Sequence, residues 1–298
     1  MIKLLSAAQN HRPIFVVMAV FTGAILSTLF VRMFSISLAD LRGVFGLDVA
    51  QGSWLNVALN IAQLISMTLV PWFMVVYGAE KILISASFIL FCCGLAVPII
   101  GQQIGFGGLF IAHFMIGFCI GVYLPMTISL ALKSLNPSVW LIVMAAYSLR
   151  VSVGMDAGVG ISGEFVDILN WRWIYWLSAI FTLVILFFTW WGMPLSPINK
   201  SLLAQSDWGG MALKCLGLTL LYIGVVQGEL LGWWDSGLVV SCLIGSAILM
   251  GTFIIRAYIY KQSFGHLNWI KDSDLRLCFI IACLYGFLML PNSLFIRS

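Results

Sequence analysis

Apolar runs of about twenty residues follow one another along the whole chain, each closed by a short polar or turn-forming stretch. A run of that length crosses the hydrocarbon core of a bilayer as a helix. The pattern predicts spans at 14–31, 54–77, 82–100, 106–132, 139–161, 173–191, 211–226, 238–257 and 277–295, with the first running on towards Leu38. Lipid offers no partner to an open backbone, so helices are the expected element. The ten-residue alternation of a membrane barrel is not found in this sequence. The expected class is therefore an all-α, polytopic membrane protein of about nine helices.

Composition agrees. Of the 298 residues, 62% are hydrophobic and 9% charged, against about a quarter charged in a soluble domain. Too little polar surface exists to cover a water-soluble globule. The seven cysteines, Cys92, Cys93, Cys119, Cys215, Cys242, Cys278 and Cys283, all fall in apolar spans without metal-ligand spacing, and read as small packing residues. No segment reads as a cleaved signal peptide, because the long first span lacks a small-residue cleavage site after it.

The net charge of +4 matters less than where the charges lie. With the N-terminus placed in the cytoplasm, Lys3, Arg12, Lys81, Lys133, Lys200, Lys214, Arg256, Lys261, Lys271 and Arg276 fall on that side. Arg42, Arg172 and Arg297 fall outside, and Arg32 and Arg150 lie within spans. This asymmetry predicts the inward N-terminus. Trp171, Trp173, Trp233 and Trp234 flank spans as interfacial belt residues do.

Arg32, His113, Arg150 and Asp156 are the informative polar residues. A charge near the bilayer centre costs at least ~2.5 kcal/mol, so such groups face a partner or a wet cavity. At about 1.5 Å per residue, Arg150 lies roughly 18 Å into the fifth span and Asp156 about 9 Å further. On the same rise Arg32 falls near the depth of Asp156, and His113 near that of Arg150. These depths predict an Arg32–Asp156 link and a His113 site beside Arg150. Asp156 and His113 are candidate proton carriers along a transport path. The alternatives are a structural ion pair, or Arg32 snorkelling to the outer interface.

Two pairs of small residues, Gly117 with Gly121 and Gly154 with Gly158, stand four apart and allow close helix approach. Pro125 and Pro291 are candidate kink sites. No nucleotide-binding loop, zinc-protease, serine-nucleophile or CxxC motif is present in the sequence. No basic stripe interleaved with aromatics points to nucleic acid.

Several loops resemble those of the major facilitator superfamily, specifically its fourteen-helix drug:proton antiporters of the EmrB/QacA type. Asn170-Trp171-Arg172-Trp173-Ile174-Tyr175 is similar to the run leading into the family's sixth helix. Asp207-Trp208-Gly209-Gly210, followed by Gln227-Gly228 and Trp233, resembles the helix pair inserted between the two halves. Gln51-Gly52-Ser53-Trp54 resembles the entrance to the second helix. The loop after the second helix keeps Gly78 and Lys81 but has Val75 and Val76 at the family's Asp and Arg positions. In the fourth helix His113 stands where the family has arginine, while Gly117, Gly121 and Pro125 fit. The antiporter motif of the fifth helix is reduced to Gly158 through Gly163 without its proline, and Phe30 replaces the first-helix acid.

The resemblance implies a major-facilitator-type N-terminal six-helix bundle over 1–193, a cytoplasmic connection over 194–210 and a two-helix insert over 211–257. Residues 258–298 would then hold a cytoplasmic loop and the first helix of a second half. It implies proton-coupled efflux of small amphipathic compounds from the cytoplasmic (inner) membrane, with the proton gradient as coupling source and no cofactor or enzymatic activity. Expected partners are the lipid bilayer, a small-molecule substrate, a missing C-terminal half or a second copy, and a periplasmic adaptor protein. The competing expectation is a non-transporting remnant or an interaction subunit of a split transporter.

Overall fold

The computed structural model describes residues 12–165 and 170–259, with isolated helical positions at 276, 277, 280, 281 and 284. Ten α-helices occupy the continuous part: α1 (Pro13–Ile36), α2 (Leu38–Phe45), α3 (Val49–Tyr77), α4 (Ala79–Ile100), α5 (Gly105–Ser134), α6 (Trp140–Gly163), α7 (Trp173–Gly192), α8 (Lys200–Ala204), α9 (Trp208–Leu231) and α10 (Gly237–Ile259). Eight of them are long and apolar enough to cross a membrane. They correspond to the first eight spans that the apolar pattern predicts. The ninth, at 277–295, lies outside the described residues apart from isolated positions, as do Pro291, Cys278 and Cys283.

Where the boundaries differ, capping explains it. The stretch between the first two spans reads as a loop, yet it contains α2 and the first turn of α3. Asp48 accepts a hydrogen bond from the Gln51 backbone N–H at 2.6 Å, and Gln51 Oε1 accepts from the Asp48 N–H at 3.2 Å. This reciprocal capping box satisfies two open donors and starts α3 at Val49, five residues before the apolar run. Asp207 likewise accepts from the Gly210 N–H at 2.9 Å and starts α9 at Trp208. α9 also continues through Gln227 and Glu229 to Leu231, where Gly232 takes the left-handed conformation (φ 77°) and closes it.

α1 is the axis of the bundle, packed on α5, α6 and α7, while α5 packs on α3 and α4 as well. At the α3–α5 crossing, Gly117 sits against the Leu59 backbone and Gly121 against that of Gln63. A side chain at either position would hold the helices apart. These two contacts run in the same order along both helices, so α3 and α5 are parallel. Pro125 leaves α5 continuous. The deep core joins Phe30, Phe34, Tyr123, Tyr175 and Ile116, all under 3% exposed.

α9 and α10 pack on each other, and α9 also meets the bundle along α3. Trp208 stacks edge-on to Trp72 at 5.3 Å between ring centres, and Ser53 Oγ donates to Gln227 Oε1 at 3.3 Å. The segment joining α7 to α9 is strapped to the α3–α4 turn. Glu80, 3% exposed, accepts from the Ser196 N–H at 2.5 Å and from Ser196 Oγ at 3.3 Å. Lys81 Nζ donates to Ser196 O at 2.7 Å, and the Asn199 N–H to Val76 O at 2.8 Å. Gly78, at φ 94°, lets the turn fold over the Glu80 carboxylate.

Candidate functional site

The buried face of α6 is a narrow stripe of Val143, Tyr147, Arg150, Gly154, Ala157, Gly158 and Ile161, packed mainly on α1, with the Tyr147 hydroxyl donating to Leu124 O of α5 at 3.5 Å. Gly154 packs on Thr28 and Gly158 on the stem of Arg32. The two contacts advance together, so α1 and α6 are parallel with a seam repeating every four residues. Arg150 points along this seam. Its Nη1 donates to Thr28 Oγ1 at 2.6 Å, and its guanidinium lies 4.2 Å from the centre of the Tyr147 ring.

On another side of α1, Gln63 of α3 donates through Nε2 to Ser27 Oγ at 3.2 Å, and Ser27 is fully buried. Ser27 and Thr28 are neighbours on α1, so Gln63, Ser27, Thr28 and Arg150 form a polar belt across three helices at one level. Asn60, one turn from Gln63, donates to Asn56 O at 2.8 Å and to Asn56 Oδ1 at 2.9 Å. Asn56, Asn60 and Gln63 therefore share one face of α3. Reading charged residues alone passes over these amides and hydroxyls. The spacing of 56, 60 and 63 within an apolar run is the signal that finds them.

Arg32 lies one turn beyond Thr28. It makes no hydrogen bond and meets no carboxylate among the described residues, and its Nε is buried without a partner. The Nε of Arg150 is buried and unpartnered too. The expected Arg32–Asp156 link is not formed. Its level is right, because Arg32 packs on Gly158 two residues away, but its face is wrong. Position 156 is rotated about 200° from 154 around the helix, so Asp156 faces away from α1. There it is exposed, sharing a face with Ser148 and Ser152 at four-residue spacing.

The expected meeting of His113 with Arg150 is also not formed. His113 is fully buried between α1, α5 and α7. Its Nδ1 lies 2.7 Å from Leu109 O, which can only accept, so Nδ1 carries the proton and donates. Nε2 then accepts from the Tyr175 hydroxyl at 2.9 Å in the neutral ring. The imidazole also lies against Phe34, 4.8 Å between centres. Phe34 is six residues beyond Thr28, about 9 Å along α1, so His113 stands well away from the level of the belt. Spans of unequal length and tilt defeat a depth counted from one end.

Of the remaining sequence candidates, Gly78 and Lys81 sit at the α3–α4 turn, Gly117, Gly121 and Pro125 on α5, and Gly154 and Gly158 on the seam. Gly163 ends α6 with open space around it. Among the described residues no cluster of His, Cys, Asp or Glu is placed to hold a metal.

A bundle of apolar helices crossed by a sparse polar belt is the architecture of an integral, multi-pass membrane protein. The sequence profile of the Major Facilitator Superfamily matches residues 20–296, and the chain belongs to that family. It is 21% identical over 264 residues to the fatty acid resistance protein FarB of Neisseria gonorrhoeae, covering 87% of this chain and 50% of that protein. It is 21% identical to the multidrug export protein EmrB of Haemophilus influenzae, covering 74% of this chain and 42% of that one. The Escherichia coli K12 protein of the same name is also 21% identical, over 84% of this chain and 47% of its own length. The chain thus spans about half the length of the curated relatives it matches.

Proposed function

We propose that this chain serves proton-coupled export of small amphipathic compounds across the cytoplasmic membrane, with its N-terminus in the cytoplasm. The observation that carries the reading is the polar belt of Gln63, Ser27, Thr28 and Arg150, continued by Arg32, inside helices otherwise fit for lipid. The belt residues partly satisfy one another, but Arg32 and the Nε of Arg150 meet no partner among the described residues, and such a cation at that depth is costly unless it meets a solute or water. Two relatives carry the name multidrug export protein, which supports export as the direction. Asp156, exposed on α6 and without an ion-pair partner among the described residues, is the proposed proton carrier. His113, satisfied on both ring nitrogens in the core, positions α1 against α5 and α7 instead.

The test is transport by the purified chain in liposomes under an imposed pH gradient, alone and with a matching C-terminal half, and with a periplasmic adaptor added. Gradient-driven flux that falls at least tenfold in Asp156→Asn is expected. Flux by the chain alone would point to assembly from several copies. Flux that keeps its proton dependence in Asp156→Asn would remove that carboxylate from the mechanism, and silence in every arm would favour a non-transporting subunit.

A further inference from the structure

We propose that the connection between α7 and α9 is an interfacial foot, which sets Leu195, Ile198 and Leu202 into the apolar edge of one leaflet and presents Lys200 to anionic lipid headgroups beside them. This goes beyond the transport reading and does not depend on it.

α7 ends at Gly192 and α9 starts at Trp208, so residues 193–207 leave the bundle and rejoin it at the same end. Tryptophan marks the level at both points. Trp190 and Trp191 close α7, Trp208 opens α9, and all three are exposed. Exposed tryptophan at the ends of spanning helices sits at the headgroup layer. The Arg12 guanidinium lies 5.9 Å from the centre of the Trp191 ring and shares that level. The bonds from Ser196 to Glu80 and from the Asn199 N–H to Val76 O then hold the connection flat against the α3–α4 turn. While those polar groups are turned to the bundle, the aliphatic side chains among them are not. Leu195, Ile198 and Leu202 are 65%, 44% and 38% exposed. At headgroup level they can bury in the acyl boundary, as the apolar face of an interfacial segment does. The backbone suits that place. Pro194 and Pro197 carry no N–H, and the N–H groups of Ser196, Asn199, Leu202 and Leu203 have acceptors, so few open donors meet the apolar boundary.

Charge selects the lipid. The acids at this end among the described residues are Glu80 and Asp207, 3% and 5% exposed, one turned in on Ser196 and the other held by Arg256. Arg12, Lys133 and Lys200 at the same end are exposed. An end that shows its cations and hides its acids complements an acidic leaflet, where one lysine near the surface is worth about fivefold in attraction.

The test is fluorescence quenching on the purified full chain in nanodiscs, with the native cysteines replaced and an environment-sensitive dye on Ile198→Cys. A lipid nitroxide near the carbonyl end of the acyl chain is expected to quench at least about twofold more than one near the methyl end, and aqueous iodide to quench weakly. At equal mole fraction, nitroxide-labelled phosphatidylglycerol is expected to quench more than nitroxide-labelled phosphatidylcholine at low salt, with the difference fading at high salt. Lys200→Gln removes none of the bonds that hold the connection, so it should melt with the parent. It is expected to lower the local enrichment of phosphatidylglycerol by as much as about fivefold without moving the dye. Strong iodide quenching would show a solvated loop, and protection from iodide and nitroxides alike would show a protein cover, whether a second copy or another part of this chain. Either result overturns the inference. Equal quenching by the two lipids at low salt, or an enrichment indifferent to Lys200→Gln, overturns it as well.

Discussion

Arg256 of α10 holds Asp207 at the start of α9 through two nitrogens at once, Nε at 2.9 Å and Nη2 at 2.8 Å from the same carboxylate oxygen. That oxygen also caps α9 by accepting from the Gly210 N–H. One side chain, 5% exposed, therefore starts a helix and joins it to its partner.

The two roles separate by substitution. Asp207→Asn keeps an accepting oxygen for the cap and loses the charge, whereas Asp207→Ala loses both. Loss of the cap alone is worth about 1 kcal/mol. Thermal unfolding in detergent is expected to rank the parent above Asp207→Asn and that above Asp207→Ala. Equal melting of the two variants would show that the cap contributes nothing.

Close approach at the α3–α5 crossing predicts a contrast between glycines. Gly121→Ala puts a methyl 2.6 Å from Gln63 O and 2.9 Å from its Cα, so backbone must move, and overpacking of this kind costs about 1–3 kcal/mol. Gly160→Ala meets nothing within 4 Å and adds helix propensity. The first should lower the unfolding temperature and the second leave it level or raise it. A neutral Gly121→Ala would mean that the crossing is looser than described.

Glu80 fixes the connection between α7 and α9. Glu80→Ala leaves the Ser196 N–H and hydroxyl without their acceptor, and the segment around 194–207 should become cleavable by a protease that spares the parent. Hydrogen exchange over the same segment should quicken while the spans keep their protection. An unchanged cleavage pattern would show that Lys81 and Asn199 suffice to hold it.

Much of this fold is written in the apolar periodicity, and much of the site is not. Eight spans follow from run length because the bilayer imposes it. The start of α3 does not, because Asp48 and Gln51 work through their side chains at a point where hydropathy has already fallen. The charges were legible as residues out of place in lipid, but their partners were not. Depth can be counted along a chain, whereas facing depends on which stripe of α6 meets α1, and that is settled by Gly154 and Gly158. Glu80 looks like an ordinary loop acid, and Asp207 is legible only as a motif residue, until the segments they hold are folded beside them.

The face of α6 that carries Asp156 yields one more expectation. With the native cysteines replaced, Asp156→Cys should react quickly with a membrane-impermeant maleimide and Gly154→Cys slowly, because a carboxylate at this depth needs water. Slow reaction at 156 would place that face against lipid and weigh against a proton-carrying role.

The narrow attachment of α6 carries a consequence for the membrane itself. Its 24 residues measure about 36 Å against a hydrocarbon layer of about 30 Å, and little besides the α1 stripe restrains it. A mismatch of that size is accommodated by tilting within what the packing on α1 allows. Tilt alters how the four-residue repeat of α6 meshes with α1, and with it the reach of Arg150 towards Thr28. Membrane thickness, a property of acyl-chain length and sterol-like ordering, thereby becomes an input to the geometry of the arginine seam.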